Sequence, residues 1–259
     1  MSEPGGLKVG LILQSLRLPV DEALEKAASL GVDGIQVYVT SGELLAENMD
    51  AAARKAFSDR CEGLGIQISA LCAEYGKNYG VEEQAEWVLP RIEAALEQAA
   101  DLGTGVVTTH IGAIPEQRSA PAWSVFARTL NSVGRCAERC GVNFAIETGP
   151  EPGHILRDMI ESLDTGGVGA NFDPANLVMK GYDHIQAARD LAAHIAHTHA
   201  KDGKRGEGEV PLGQGDVDFP RYVAVMREIG YEGFFTIERE SGPDPIKDVS
   251  EAVDFLRRL

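Results

Sequence analysis

The chain has 259 residues, 44% hydrophobic and 25% charged, which are ordinary proportions for a globular protein and enough length for one barrel of about 250 residues. Its formal net charge is −16, and its one basic cluster (Lys201, Lys204 and Arg205 in KDGKR) is soon followed by acids, so a nucleic-acid partner is not expected. No apolar run reaches the roughly 18 residues of a membrane span, and the start, MSEPGGLKVG, lacks the basic and apolar regions of a signal peptide. The cysteines (Cys61, Cys72, Cys136 and Cys140) form no C-x-x-C pair, which predicts a reduced, cytoplasmic protein.

Short apolar, often β-branched runs alternate with helical patterns along the whole chain. The predicted strands are 7–13, 34–39, 66–72, 105–110, 143–147, 168–173, 194–199 and 233–238. Such runs suit strands buried on both faces. Predicted helices include 20–31, 49–65, 81–103, 121–141 and 219–230, several ending in Gly, the favoured residue just past a helix. Pro90 is expected to kink or break the third of these. Eight strand–helix units with no linker predict a single (β/α)8 barrel domain over 1–259. A doubly wound sheet is the rival, but the turn after the first strand, QSLRLPVDE, has no glycine.

Four of the later strands end on side chains that can ligate a metal: NFAIE at Glu147, VGANFD at Asp173, HIAHTH at His199 and FFTIE at Glu238. Positions 147, 173, 199 and 238 are separated by 26, 26 and 39 residues. That spacing fits one strand–helix unit each, with one longer insertion. Parallel barrel strands deliver their C-terminal ends to one rim. Three carboxylates and an imidazole there would bind one divalent ion, Mn²⁺, Mg²⁺ or Co²⁺ and less selectively Zn²⁺. Such an ion polarises a substrate carbonyl and favours an enediolate. Glu147 and Glu238 are then available as proton carriers on two faces of a substrate.

These residues resemble those of the xylose isomerase-like sugar isomerase/epimerase superfamily, and within it the ketose 3-epimerases of tagatose/psicose type. The resemblance covers essentially the whole chain and is sharpest over 143–240. It implies that Glu147, Asp173, His199 and Glu238 hold one ion, commonly Mn²⁺, with the two glutamates as acid/base pair. It also implies a sugar-binding role for Arg205, six residues after His199, and a glycine-rich turn at GQGDVDF (213–219) before the seventh helix. A homodimer or homotetramer is implied as well. One position departs: Asn176 stands where the epimerases place a substrate-contacting histidine, and Asn cannot titrate. NFDPANL followed by HAKDG looks more like the broad sugar-phosphate isomerase/epimerase-like group. Some of those relatives dehydrate inososes or eliminate from 3-keto glycosides, so a metal-dependent lyase is the alternative. The superfamily's three-zinc AP endonucleases need histidines that this chain lacks.

Substrate contacts for a small carbohydrate are expected from Arg205, Asn176, His110 at the fourth strand end, Glu74 in ALCAEYG, Glu151 in ETGPE and Lys201. Lys201 either touches substrate or pairs with Asp202. Gln14 is a candidate pocket residue, and Tyr75 and Phe172 are candidate apolar walls. His194 and His197 are expected in the core or behind the ligands, His154 and His184 at the surface or a helix start, and Trp87 and Trp123 in packing or an interface. GQGD is a weak candidate phosphate loop, given Asp216 and Asp218.

Overall fold

The structure, a computed structural model, describes residues 6–259; of the expected leader-free start, residues 1–5 lie outside that range. Seven parallel strands come first: β1 (Lys8–Ile12), β2 (Gly34–Tyr38), β3 (Gln67–Cys72), β4 (Val106–Thr109), β5 (Asn143–Glu147), β6 (Val168–Phe172) and β7 (Ile195–Ala200). After β7 a short antiparallel hairpin, β8 (Asp202–Gly203) and β9 (Glu209–Val210), interrupts the pattern. The last barrel strand, β10 (Phe234–Ile237), pairs with both β7 and β1 and closes the ring in the order β1-β10-β7-β6-β5-β4-β3-β2. This is the (β/α)8 barrel expected from the alternating pattern, and the hairpin accounts for the 39-residue gap.

The helical layer is α1 (Val20–Ser29), α2 (Ala51–Gly63), α3 (Glu82–Asp101), α4 (Pro121–Cys140), α5 (Gly153–Ile160), α6 (Pro174–Met179), α7 (His184–Asp190), α8 (Phe219–Glu228) and α9 (Pro245–Leu256). All five helices expected from sequence are present. Each is followed within two residues by a glycine at positive φ (Gly31, Gly65, Gly103, Gly141 and Gly230), where a side chain would be strained. Pro90 does not break α3, which runs through it. Pro90 and Glu86, whose carbonyl loses its i+4 donor, both lie on the exposed face, where water can serve that carbonyl. No helix among the described residues is long and apolar enough to cross a membrane.

Strand alternation sends side chains two ways. Phe144 stacks on Tyr79, and Phe172 on Tyr222 of α8 with ring centroids 5.7 Å apart, in the layer between strands and helices. Phe172 is therefore core and not a pocket wall. The opposite faces carry polar side chains into the barrel: Gln36, Thr108, Asn171, His197 and Thr236, all essentially buried. Burial holds His197 neutral, the core role expected for it.

Candidate metal centre and its surroundings

Glu147 is the last residue of β5, Asp173 follows β6, His199 is the penultimate residue of β7 and Glu238 follows β10. Strand ends that are distant in sequence thus meet at one rim. One ligand atom from each lies within 4.8 Å of every other, and all four side chains are buried. His199 Nδ1 is 3.2 Å from Glu238 Oε2 and 3.6 Å from Glu147 Oε1.

The second ring nitrogen of His199 is already engaged. Its Nε2 lies 3.1 Å from Gln36 Oε1, and Gln36 donates its own amide to Thr108 Oγ1 at 3.0 Å. With one ring proton held on Nε2, Nδ1 is the nitrogen left facing the carboxylates, free to carry a second proton or to ligate a cation. Asn176 and Asn171 each donate to Glu147, at 2.9 Å to Oε1 and 3.1 Å to Oε2. Asp173 caps α6, its Oδ1 accepting from Ala175 and Asn176 backbone N–H groups. Three buried atoms at this point, Asp173 Oδ2, Glu238 Oε2 and His199 Nδ1, accept no well-aligned hydrogen bond.

Lys201 is the one ammonium inside the cluster. Its Nζ is 3.0 Å from Glu238 Oε2, 3.8 Å from Asp173 Oδ2 and 2.5 Å from Glu240 Oε2. It does not pair with Asp202, whose carboxylate is taken by backbone amides. Three buried carboxylates share one permanent cation, Lys201, so protons supply the rest of the compensation. Burial pushes the Asp173 carboxyl up to about 7 despite Lys201 nearby, and Glu147 and Glu238 add to that push. Burial alone would keep His199 neutral, yet Glu238 and Glu147 drive it well above its ordinary range. A divalent cation would displace those protons and be held by the same four converging side chains, so the donor set fits one.

The other expected residues sit at different distances from this centre. His110 bridges outward: its Nε2 is 3.5 Å from Glu147 Oε1 and its Nδ1 3.3 Å from Glu74 Oε2. Glu147 raises His110 to about 9 against its partial burial. Glu74 also accepts the His110 backbone N–H at 2.7 Å. Glu151 is buried against the Ile114 amide at 3.3 Å, and burial pushes its carboxyl up to about 7. Arg205 is not brought to the cluster. It is exposed on the β8–β9 turn, and its backbone N–H donates to Asp216 Oδ2 at 2.9 Å. Gln14 lines an open depression with Ser15, Arg17, Tyr38, Glu238 and Glu240, as expected. Tyr75 packs edge-on against Trp87, which is half-exposed beneath the Arg91 guanidinium; Trp123 is buried. His194 faces Glu161 at the surface, and His184 starts α7.

Gln36, Asn171 and Tyr38 were not anticipated. A signal existed: each is a polar residue at an inward position of an otherwise apolar strand, and Asn171 stands two residues before Asp173.

Residues 24–259 match the family model described as xylose isomerase-like TIM barrel. Among curated proteins, the chain is 26% identical over 179 residues to an uncharacterized protein of Methanocaldococcus jannaschii, covering 64% of this chain and 61% of that one. It is 26% identical over 161 residues to an inosose dehydratase of Geobacillus thermodenitrificans, covering 52% and 54%. The chain thus spans between half and two thirds of those two relatives. The L-ribulose-5-phosphate 3-epimerase UlaE of Escherichia coli is 24% identical over 252 residues, covering 91% and 88%. The crystal structure of a xylose isomerase domain protein from Planctomyces limnophilus superposes with a TM-score of 0.85 at 27% identity, covering 97% and 96%.

Proposed function

The chain belongs to the xylose isomerase-like TIM barrel family, and on that premise we propose that it is a divalent-metal-dependent isomerase or epimerase of a small carbohydrate. The observation that carries this reading is the convergence of Glu147, Asp173, His199 and Glu238 on one point, all four buried, with a ligand atom of each within 4.8 Å of the others. These four side chains would hold the ion. Carboxylates with a single imidazole suit Mn²⁺ best, with Mg²⁺, Co²⁺ or Zn²⁺ as alternatives. When bound, the ion supplies Lewis-acid polarisation of a carbonyl, which makes the neighbouring C–H more acidic.

The chain's own groups account for the proton transfers. Glu147 and Glu238 come from β5 and β10, separated in the ring by β6 and β7, so they reach the centre from different sides. One removes the C–H proton as general base, and the other returns a proton to the opposite face, which inverts the carbon. Asn171 and Asn176 fix the Glu147 carboxylate by one hydrogen bond to each oxygen. Gln36 sets the tautomer of His199. His110, Glu74, Glu151 and Lys201 are placed to contact hydroxyls. Arg205 would join them only by a movement of the hairpin.

A lyase is the second reading, favoured by His110, which stands partly exposed between Glu74 and Glu147 and could protonate a leaving oxygen. Proton NMR of metal-loaded protein with ketoses, inososes and 3-keto glycosides in D₂O separates the two. Deuterium at the carbon beside the carbonyl, with a new epimer, supports the isomerase. A product short of one water supports the lyase, and no exchange with any of them overturns both.

A further inference from the structure

Barrels of this architecture that bind phosphate usually do so on the loops after the seventh and eighth strands, where free backbone N–H groups and a helix N-terminus point at the anion. In this chain those loops follow β7 and β10, and their donors are already used. From Gly213 to Val217 every backbone N–H has an acceptor. Asp202 Oδ2 takes Gly213 and Gly215, each at 2.9 Å, and Oδ1 takes Val217 at 3.2 Å and Gly203 at 2.8 Å. Gln214 donates to the Pro211 carbonyl and Asp216 to that of Gly203. A side chain at Gly215 would place its Cβ 2.1 Å from Asp202 Oδ1, so the loop is wrapped tightly on this carboxylate.

The loop after β10 repeats the arrangement. Glu209, on β9, accepts the Glu240 N–H at 3.1 Å on Oε1, and the Ser241 N–H at 2.9 Å and hydroxyl at 2.8 Å on Oε2. The helix starts beyond both loops are capped by Asp218 and Asp244. The neighbouring cations are committed too. Arg239 pairs with Glu209 and Asp248 at 2.8 Å each, Arg17 donates to the Gly242 and Glu240 carbonyls, and Lys201 lies among the cluster's carboxylates. Lys204 and Arg205 on the hairpin turn and Arg221 in the first turn of α8 are left, all exposed, where water screens their attraction to an anion.

We infer that the site takes an unphosphorylated carbohydrate, because Asp202 and Glu209 fill from within the two places where a phosphate group would be held. The carbohydrate itself rests on the proposed function; the exclusion of phosphate rests on these two carboxylates. The test is direct binding of D-fructose, D-fructose 6-phosphate, D-ribulose and D-ribulose 5-phosphate to metal-loaded protein by calorimetry at fixed ionic strength. Each ester is expected to bind at least tenfold more weakly than its parent sugar, or to give no heat. An ester that binds as well as its parent overturns the inference. A sugar that binds without deuterium exchange defeats the epimerase reading and leaves this one standing. A second measurement needs no sugar: thermal melts in inorganic phosphate against chloride. Phosphate should not stabilise the natural protein, whereas Asp202→Ala, which frees the amides of Gly213, Gly215 and Val217, should be stabilised by it. Stabilisation of the natural protein by millimolar phosphate, or a folded Asp202→Ala variant indifferent to phosphate, would count against the assignment. Should that variant not fold, the natural protein alone decides.

Discussion

Replacing Glu151 with Gln should change how stability depends on pH. Glu151 is 6% exposed, accepts only the Ile114 amide at 3.3 Å, and is pushed by burial from 4.5 up to about 7. His110 is the one charged group acting on it favourably. In the folded protein the carboxyl therefore keeps its proton to about pH 7, while in the unfolded chain it loses it near 4.5. Between those values the folded state binds more protons, so stability falls as pH rises and the loss is complete above pH 7. At about 1.4 kcal/mol per pH unit the whole loss is on the order of 3 kcal/mol. A Gln side chain is neutral throughout and can still accept from Ile114. Urea unfolding of both proteins from pH 4 to pH 8.5, with metal held constant, should give curves that coincide at pH 4 and diverge by about 3 kcal/mol at pH 8, the variant being the more stable. Parallel curves, or a variant less stable at pH 8, would refute the claim that burial costs this carboxylate its charge.

Glu147→Gln and Glu238→Gln should each lower deuterium exchange into substrate by about 10²–10⁴-fold, with circular dichroism unchanged; full activity in either ends the two-glutamate mechanism. Gln36→Leu removes the acceptor of the His199 Nε2–H at 3.1 Å and should weaken metal binding by about 10–100-fold in a competition titration, while Gln36→Glu restores it. Gly215→Ala should destabilise by about 1–3 kcal/mol, because its Cβ would sit 2.1 Å from Asp202 Oδ1; an unchanged melting temperature would show that the loop is not wrapped on that carboxylate.

Much of the fold is local and therefore legible in the chain. The eight barrel strands fall within a residue of the expected segments, since parallel strands buried on both faces must be short apolar runs. The helix ends were marked by Gly31, Gly65, Gly103, Gly141 and Gly230, since a left-handed residue demands it. Pro90 misled because the cost of a proline depends on whether its lost partner faces water, and that is a property of the packed helix. Phe172 misled for a different reason: Asn171 and Asp173 already mark the inward face of VGANFD, and alternation sends the residue between them outward, onto Tyr222 of α8.

The candidate centre divides the same way. Glu147, Asp173, His199 and Glu238 were readable because each ends a strand, and strand ends of a parallel barrel share one rim whatever lies between them. The roles of Gln36, Lys201, Asp202 and Glu209 were not, since each depends on a partner brought close only by closure of the ring or by the hairpin after β7. Of the two readings of Lys201, a substrate contact or a pair with Asp202, the second fails because adjacent side chains of an extended chain point to opposite sides. Lys201 turned inward to Glu238 and Glu240, while Asp202 turned to the amides of Gly213, Gly215 and Val217. By itself, the sequence determined the barrel and the four side chains at its rim, because periodicity and strand ends are properties of one segment at a time. Only the tertiary structure decided which charges meet, because a buried ion takes whichever partner the fold brings within reach.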